Sequence, residues 1–119
     1  MLSFVMGGEM LAIKNLCVMR ELMDRAYHPK LSELACWVAV RYSRFTITEV
    51  WREDGVHSLC RAIDLRSKNY EDPEAVAADI NAHWIYDPQR PEYKCCVYHN
   101  VGKGWHFHLQ VHDRTERRQ

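Results

Sequence analysis

The chain has 119 residues, enough for one domain that buries a single apolar core without a staple and too few for two. Sixteen basic residues balance sixteen acidic ones, so no whole-molecule field steers the protein toward nucleic acid or an anionic membrane. The longest apolar runs, such as residues 34–40, are too short to cross a bilayer, and five cysteines without a C-x-x-C pair read as free thiols.

Residues 1–6 lack a basic leader and run into Gly7, Gly8 and Glu9, which predicts no cleavable signal peptide and a protein that is cytoplasmic when made. From Glu9 to Ala26, Met10, Ile13, Leu16, Cys17, Met23 and Ala26 recur at mostly helical spacing between Lys14, Arg20, Glu21 and Asp24. That pattern predicts a core-facing helix that ends at His28-Pro29, followed by a second helix over residues 31–40. Cys17 and Cys36 are expected as buried apolar filler, as free cysteines usually are.

At Arg44 the pattern changes to β-branched alternation, Phe45-Thr46-Ile47-Thr48-Glu49-Val50-Trp51, which predicts a strand ending at a Glu53-Asp54-Gly55 turn. A second strand is expected over 61–66. Asp72-Pro73-Glu74 is a helix start, with Val76, Ile80 and Trp84 marking its buried face. Residues 93–100 and 104–111 form two further strands around Gly102-Lys103-Gly104, and adjacent Cys95 and Cys96 should point to opposite faces. The sum is an α+β fold: a small antiparallel sheet packed against N-terminal helices and one further helix. The single domain, 1–119, divides into a helical part at about 9–40, a core at about 44–111 and a polar, frayed tail at 112–119.

Two segments carry the chemistry. In the last strand Trp105, Phe107, Leu109 and Val111 alternate with His106, His108, Gln110 and His112, so one face is apolar and the other holds three histidines, either ligands or an ordinary polar surface. In the segment from His57 to Leu65, Ile63 and Leu65 face the core, which sends Asp64 to the other side with Ala62. A mid-strand Asp needs a partner, and two are open: a salt bridge to Arg61 or Arg66, or a metal ion. Glu49 falls in the inward phase with Phe45, Ile47 and Trp51, so it is either paired with an Arg or part of a site.

His57-x-x-x-Arg61-Ala62-Ile63-Asp64, taken with His106-Phe107-His108, resembles the zinc motifs of the D-alanyl-D-alanine carboxypeptidase, phage endolysin and Hedgehog N-terminal domain group. Residues 46–55 resemble the Hedgehog strand and turn that precede the same motif. The resemblance implies that His57, Asp64 and His108 bind Zn2+ in a Hedgehog/D-alanyl-D-alanine peptidase-like fold. Two imidazoles and a carboxylate leave a fourth tetrahedral position open, as in catalytic zinc sites. It further implies hydrolysis of D,D- or L,D-type peptide bonds in peptidoglycan, a cell-wall peptide as the partner, and a phage source that releases the protein by another route. Arginines hold the substrate carboxylate in this group, and here Arg52 and Arg44 are the candidates.

The sequence departs from the family in three places. The family's general base is a Glu shortly before the third ligand, but residues 99–105 contain no carboxylate. His99 is the expected substitute and His106 the next, because an imidazole shuttles protons near neutral pH. Without a base the alternative is a catalytically silent zinc-binding module. Cys60 stands where the family has Gly, which predicts a relaxed turn or an adjusted loop. Arg52 replaces an acid of the Hedgehog calcium site, and Glu49 with Asp54 alone would bind calcium poorly, so no calcium is expected.

Overall fold

Strand pairing, and not the predicted helical period, organises residues 2–6 and 9–13. A computed structural model describes residues 2–6, 9–18, 22, 26–42, 44–50, 59–102 and 104–118, with the backbone alone for 2–6 and 9–11. Strands β1 (Leu2–Met6) and β2 (Glu9–Ile13) pair antiparallel from Leu2↔Ile13 to Met6↔Glu9. β2 continues in parallel along β3 (Phe45–Glu49), with Leu11 opposite Phe45 and Ile13 opposite Ile47. The expected helix over 9–26 is thus corrected for residues 9–13, which are a strand. Ile13 is buried, whereas Leu16 and Cys17, which a continuous helix would put on the same face, are exposed. Farther along, the described residues 16–18 and 22 are helical, and Asn15 Oδ1 accepts from the Val18 N–H at 3.0 Å. Cys17 and Cys36 are exposed free thiols, so their reading as core filler is also corrected.

Helix α1 (Pro29–Arg41) covers the second helix predicted over 31–40 but starts earlier, with Pro29 in its first turn. His28 is its N-cap: the imidazole Nδ1 accepts from the Lys30 N–H at 3.1 Å. Leu31, Leu34 and Val38, spaced three and four apart, are its buried stripe. Strand β4 (Ala62–Arg66) follows, and then helix α2 (Pro73–His83), begun by Asp72, whose carboxylate accepts from the Ala75 N–H at 3.2 Å. The hairpin of β6 (Cys96–Asn100) and β7 (Trp105–Gln110) lies where it is expected.

The six-stranded sheet runs β1-β2-β3-β4-β7-β6 and is mixed, because the β2·β3 pair is parallel. The expected purely antiparallel sheet is corrected by that one contact, which arises because the N-terminal segment joins the sheet. Val38 and Leu34 of α1 and Val76, Ala77 and Ile80 of α2 share one core with Ile47, Ile63, Leu65, Phe107 and Leu109. Fully burying each large side chain contributes roughly 1.5–3 kcal/mol, so this interior supplies the main driving force. Asn81 ties α2 to the sheet edge: its side chain donates to the Cys96 carbonyl at 2.8 Å and accepts from the Cys96 N–H at 2.9 Å. The protein is an α+β domain, and no helix among the described residues is long and apolar enough to cross a membrane.

The tail is docked, contrary to the expected fraying. After α2, β5 (Trp84–Ile85) pairs antiparallel with β8 (Glu116–Arg117). Arg114 donates two hydrogen bonds, of 2.9 and 2.7 Å, to the enclosed carboxylate of Asp87, and Thr115 is buried with its hydroxyl on the Tyr86 carbonyl at 2.7 Å. His112 leaves the histidine row: its Nδ1 accepts from the Arg114 N–H at 3.2 Å and its ring packs on Tyr86.

Candidate functional site

β4 and β7 lie side by side in a register that sets Asp64 directly opposite His108 and Arg66 opposite His106. β6 adds His99 opposite His106. Strand alternation turns Ile63, Leu65, Phe107 and Leu109 to the core, so the polar residues share the opposite face. Asp64 is 3% exposed and His108 8%. His108 Nδ1 stands 3.2 Å from one Asp64 oxygen, and His106 Nε2 stands 3.6 Å from the other. Of the two arginines open as partners of Asp64, Arg61 pairs with Asp113 at 3.3 Å.

The outer hydrogen bonds fix where the imidazole protons sit. Gln110 Nε2 donates to the Lys94 carbonyl at 2.7 Å, so its Oε1 faces His108 and accepts from the His108 Nε2–H at 3.0 Å. A neutral His108 therefore turns a bare Nδ1 toward the Asp64 carboxylate. His106 repeats the arrangement with its nitrogens exchanged: Nδ1 donates to the Gly104 carbonyl at 3.0 Å, which leaves Nε2 bare toward Asp64. That same Nε2 lies 3.2 Å from His99 Nε2 and accepts its proton. Two acceptors face each other at hydrogen-bond distance only when a cation, a proton or a metal ion, stands between them. Neighbouring donors around a tetrahedral zinc with bonds of about 2.0–2.2 Å are roughly 3.3–3.6 Å apart, close to the spacings here. An imidazole fixed through its outer N–H is also how metal-ligating histidines are oriented. Asp64 and His108 thus fit two positions of a donor set. Among the described residues no group of three or more His, Cys, Asp or Glu is arranged to hold a metal ion. His57, the third expected donor, and Arg52 lie outside the described residues.

Compared with known proteins, the chain matches no family model, no curated protein and no solved structure.

Beside Asp64 and His106 the sheet surface opens into a pocket of about 290 Å³, lined also by Lys14, Thr48, Glu49, Arg66, Ser67, Lys68 and Trp105. Glu49 reaches it through a β-bulge. Ile47 pairs with Leu65, but the next partner of β4, Asp64, is taken by Glu49, so β3 holds one residue more than β4 over this step. Arg44 stays away from this pocket, at the opposite end of β3, where its carbonyl accepts from Asn69 Nδ2 at 2.9 Å. The cations that do line the pocket, Lys14, Arg66 and Lys68, escape the sequence reading. Lys14 does so because its segment has a helical spacing, and Arg66 and Lys68 because nothing in a single strand says which strand ends meet.

Cys95 and Cys96 are buried in the core, and burial pushes both thiols up to about 12. Cys60 keeps the left-handed backbone that a glycine would favour, φ 57°, so the expected relaxed turn is corrected.

Proposed function

We propose that the chain is a zinc-dependent peptidase-like domain of the Hedgehog and D-alanyl-D-alanine peptidase type, acting on peptide bonds of peptidoglycan. The observation that carries the metal is the proton arrangement at His108: Nε2–H is committed to Gln110, and the bare Nδ1 stands 3.2 Å from Asp64. His57 completes the donor set by resemblance. Zinc held there would polarise a peptide carbonyl as a Lewis acid. The pocket beside Asp64 accepts the peptide, and the cations Arg66, Lys14 and Lys68 take over the substrate-carboxylate role first assigned to Arg44 and Arg52. Peptidoglycan as substrate, and a phage source, rest on the resemblance alone.

The test is metal content and hydrolysis on the same preparation. Protein purified without chelator should carry close to one zinc per chain, Asp64→Ala and His108→Ala should lose most of it, and cell-wall peptides should be cleaved until a chelator is added. Well under one zinc, unaltered in Asp64→Ala, would leave the histidines as an ordinary polar surface. A second reading has its own support. The residues 99–105 carry no carboxylate, and His99 and His106 are bonded to each other. A full complement of zinc with no cleavage of any cell-wall peptide would assign the domain to the silent, ligand-holding class.

A further inference from the structure

We propose that the groove between α1 and the β5·β8 ribbon binds a small molecule that joins a planar aromatic ring to a carboxylate. The groove has a volume of about 720 Å³, within the range of roughly 300–1,000 Å³ common for small-molecule clefts. It shares no lining residue with the pocket beside Asp64, so the inference stands apart from the peptidase reading.

Both walls follow from local geometry. On α1, Leu31, Leu34 and Val38 enter the core, while Glu33, Cys36, Trp37, Val40 and Arg41 repeat at the same helical spacing on the groove side. A stripe that met only water would be polar, yet this one exposes the Cys36 thiol and leaves Val40 62% exposed. The facing wall is a cross-strand pair: Trp84 lies directly opposite Arg117, so both side chains leave the ribbon on the same face. Trp37 and Trp84 meet edge to face with ring centroids 6.2 Å apart. Trp84 is 5% exposed, and its indole N–H has no acceptor among the described residues, so folding leaves a buried donor unsatisfied in this wall.

The charges select the ligand. Arg41 lies over the Trp37 ring at 5.0 Å, but its guanidinium is already held by the Asp79 carboxylate at 2.5 and 3.0 Å. Arg117 makes no ion pair among the described residues. An anionic end group therefore gains a partner at the β8 wall, and Glu33 on the α1 wall repels it from the other side. The body of the ligand meets Trp37, Trp84 and Val40, and indoles favour a further aromatic ring in offset or edge-to-face contact. A ring that carries one carboxylate satisfies both conditions.

The experiment titrates naphthoate into the full chain and follows the indole N–H resonances. Those of Trp84 and Trp37 should shift together and saturate, while that of Trp105, which does not line the groove, stays in place. Arg117→Ala should weaken binding about tenfold. The uncharged naphthamide should bind wild type about tenfold more weakly than naphthoate and be indifferent to Arg117→Ala. Val40→Glu should abolish the shifts at an unaltered melting temperature. No saturable shift at millimolar naphthoate, an equal shift at Trp105, or wild-type affinity in Arg117→Ala overturns the proposal. So does a dimer in sedimentation velocity that Val40→Glu dissociates, because the groove is then an interface between copies of this chain.

Discussion

Cys60 has a positive φ of 57°, a region in which an L-residue's Cβ crowds the following carbonyl. The position is held by its surroundings, since the Cys60 carbonyl accepts from the His28 N–H at 3.0 Å at the entrance to α1. Glycine relieves the Cβ contact but gains freedom in the unfolded chain, and the first effect is the larger here. Cys60→Gly is expected to stabilise the protein by about 0.5–1 kcal/mol in a urea titration. A lower midpoint would mean that the side chain packs more usefully than the strain costs. His108 makes the opposite point about a single residue. The histidine row is visible by alternation, and so is Gln110 two positions on, but the bond that joins them becomes informative only when Lys94 fixes the amide.

At the scale of elements, helix starts are the most legible feature. Asp72-Pro73-Glu74 names its helix to the residue, because a cap, a first-turn proline and a first-turn acid act locally and depend on no distant partner. Asp72→Ala should cost about 1 kcal/mol by removing the hydrogen bond to Ala75, measured as a shift in thermal or urea midpoint, and Asp72→Ser should restore most of it. The strand ladder is less legible. Met10, Ile13 and Cys17 satisfy a helical spacing, yet pairing of β2 with both β1 and β3 overrides it, and the two glycines between the apolar runs 2–6 and 9–13 are the local signal that favours a hairpin. The bulge in β3 cannot be read from alternation at all, since alternation predicts Glu49 inward; its cause lies in the partner strand.

Across the whole molecule, Asp87 gathers the tail. Hydrogen bonds from Arg114, then Arg90 and the Gln89 N–H, hold its carboxyl far below the usual carboxylate range against the opposing effect of burial. A carboxyl with a depressed folded-state pKa stabilises fully above its unfolded value of about 3.9, and this contribution is lost as pH falls from there through the folded value. Asp87→Asn should therefore lower the melting temperature by several degrees at pH 7. The gap to wild type should close progressively below about pH 4. A gap unaltered across that range would show that the tail is held by β8 and Thr115 instead. A polar composition is what made residues 112–118 look loose; their order comes from Asp87, Tyr86 and Lys30, which are distant in sequence.

The sequence by itself determined the α+β composition, the start of α2, the β6·β7 hairpin and the placing of Asp64 and His108 on the non-core face of their strands. Each of these follows from period, capping or turn chemistry within a dozen residues. Only the tertiary structure decided that residues 9–13 are a strand, that the sheet is mixed, that Arg66, Lys14 and Lys68 and not Arg44 line the pocket, and that Glu49 is paired with Asp64. Those outcomes depend on which strands pair and in which register, and register is set by contacts between residues far apart in the chain.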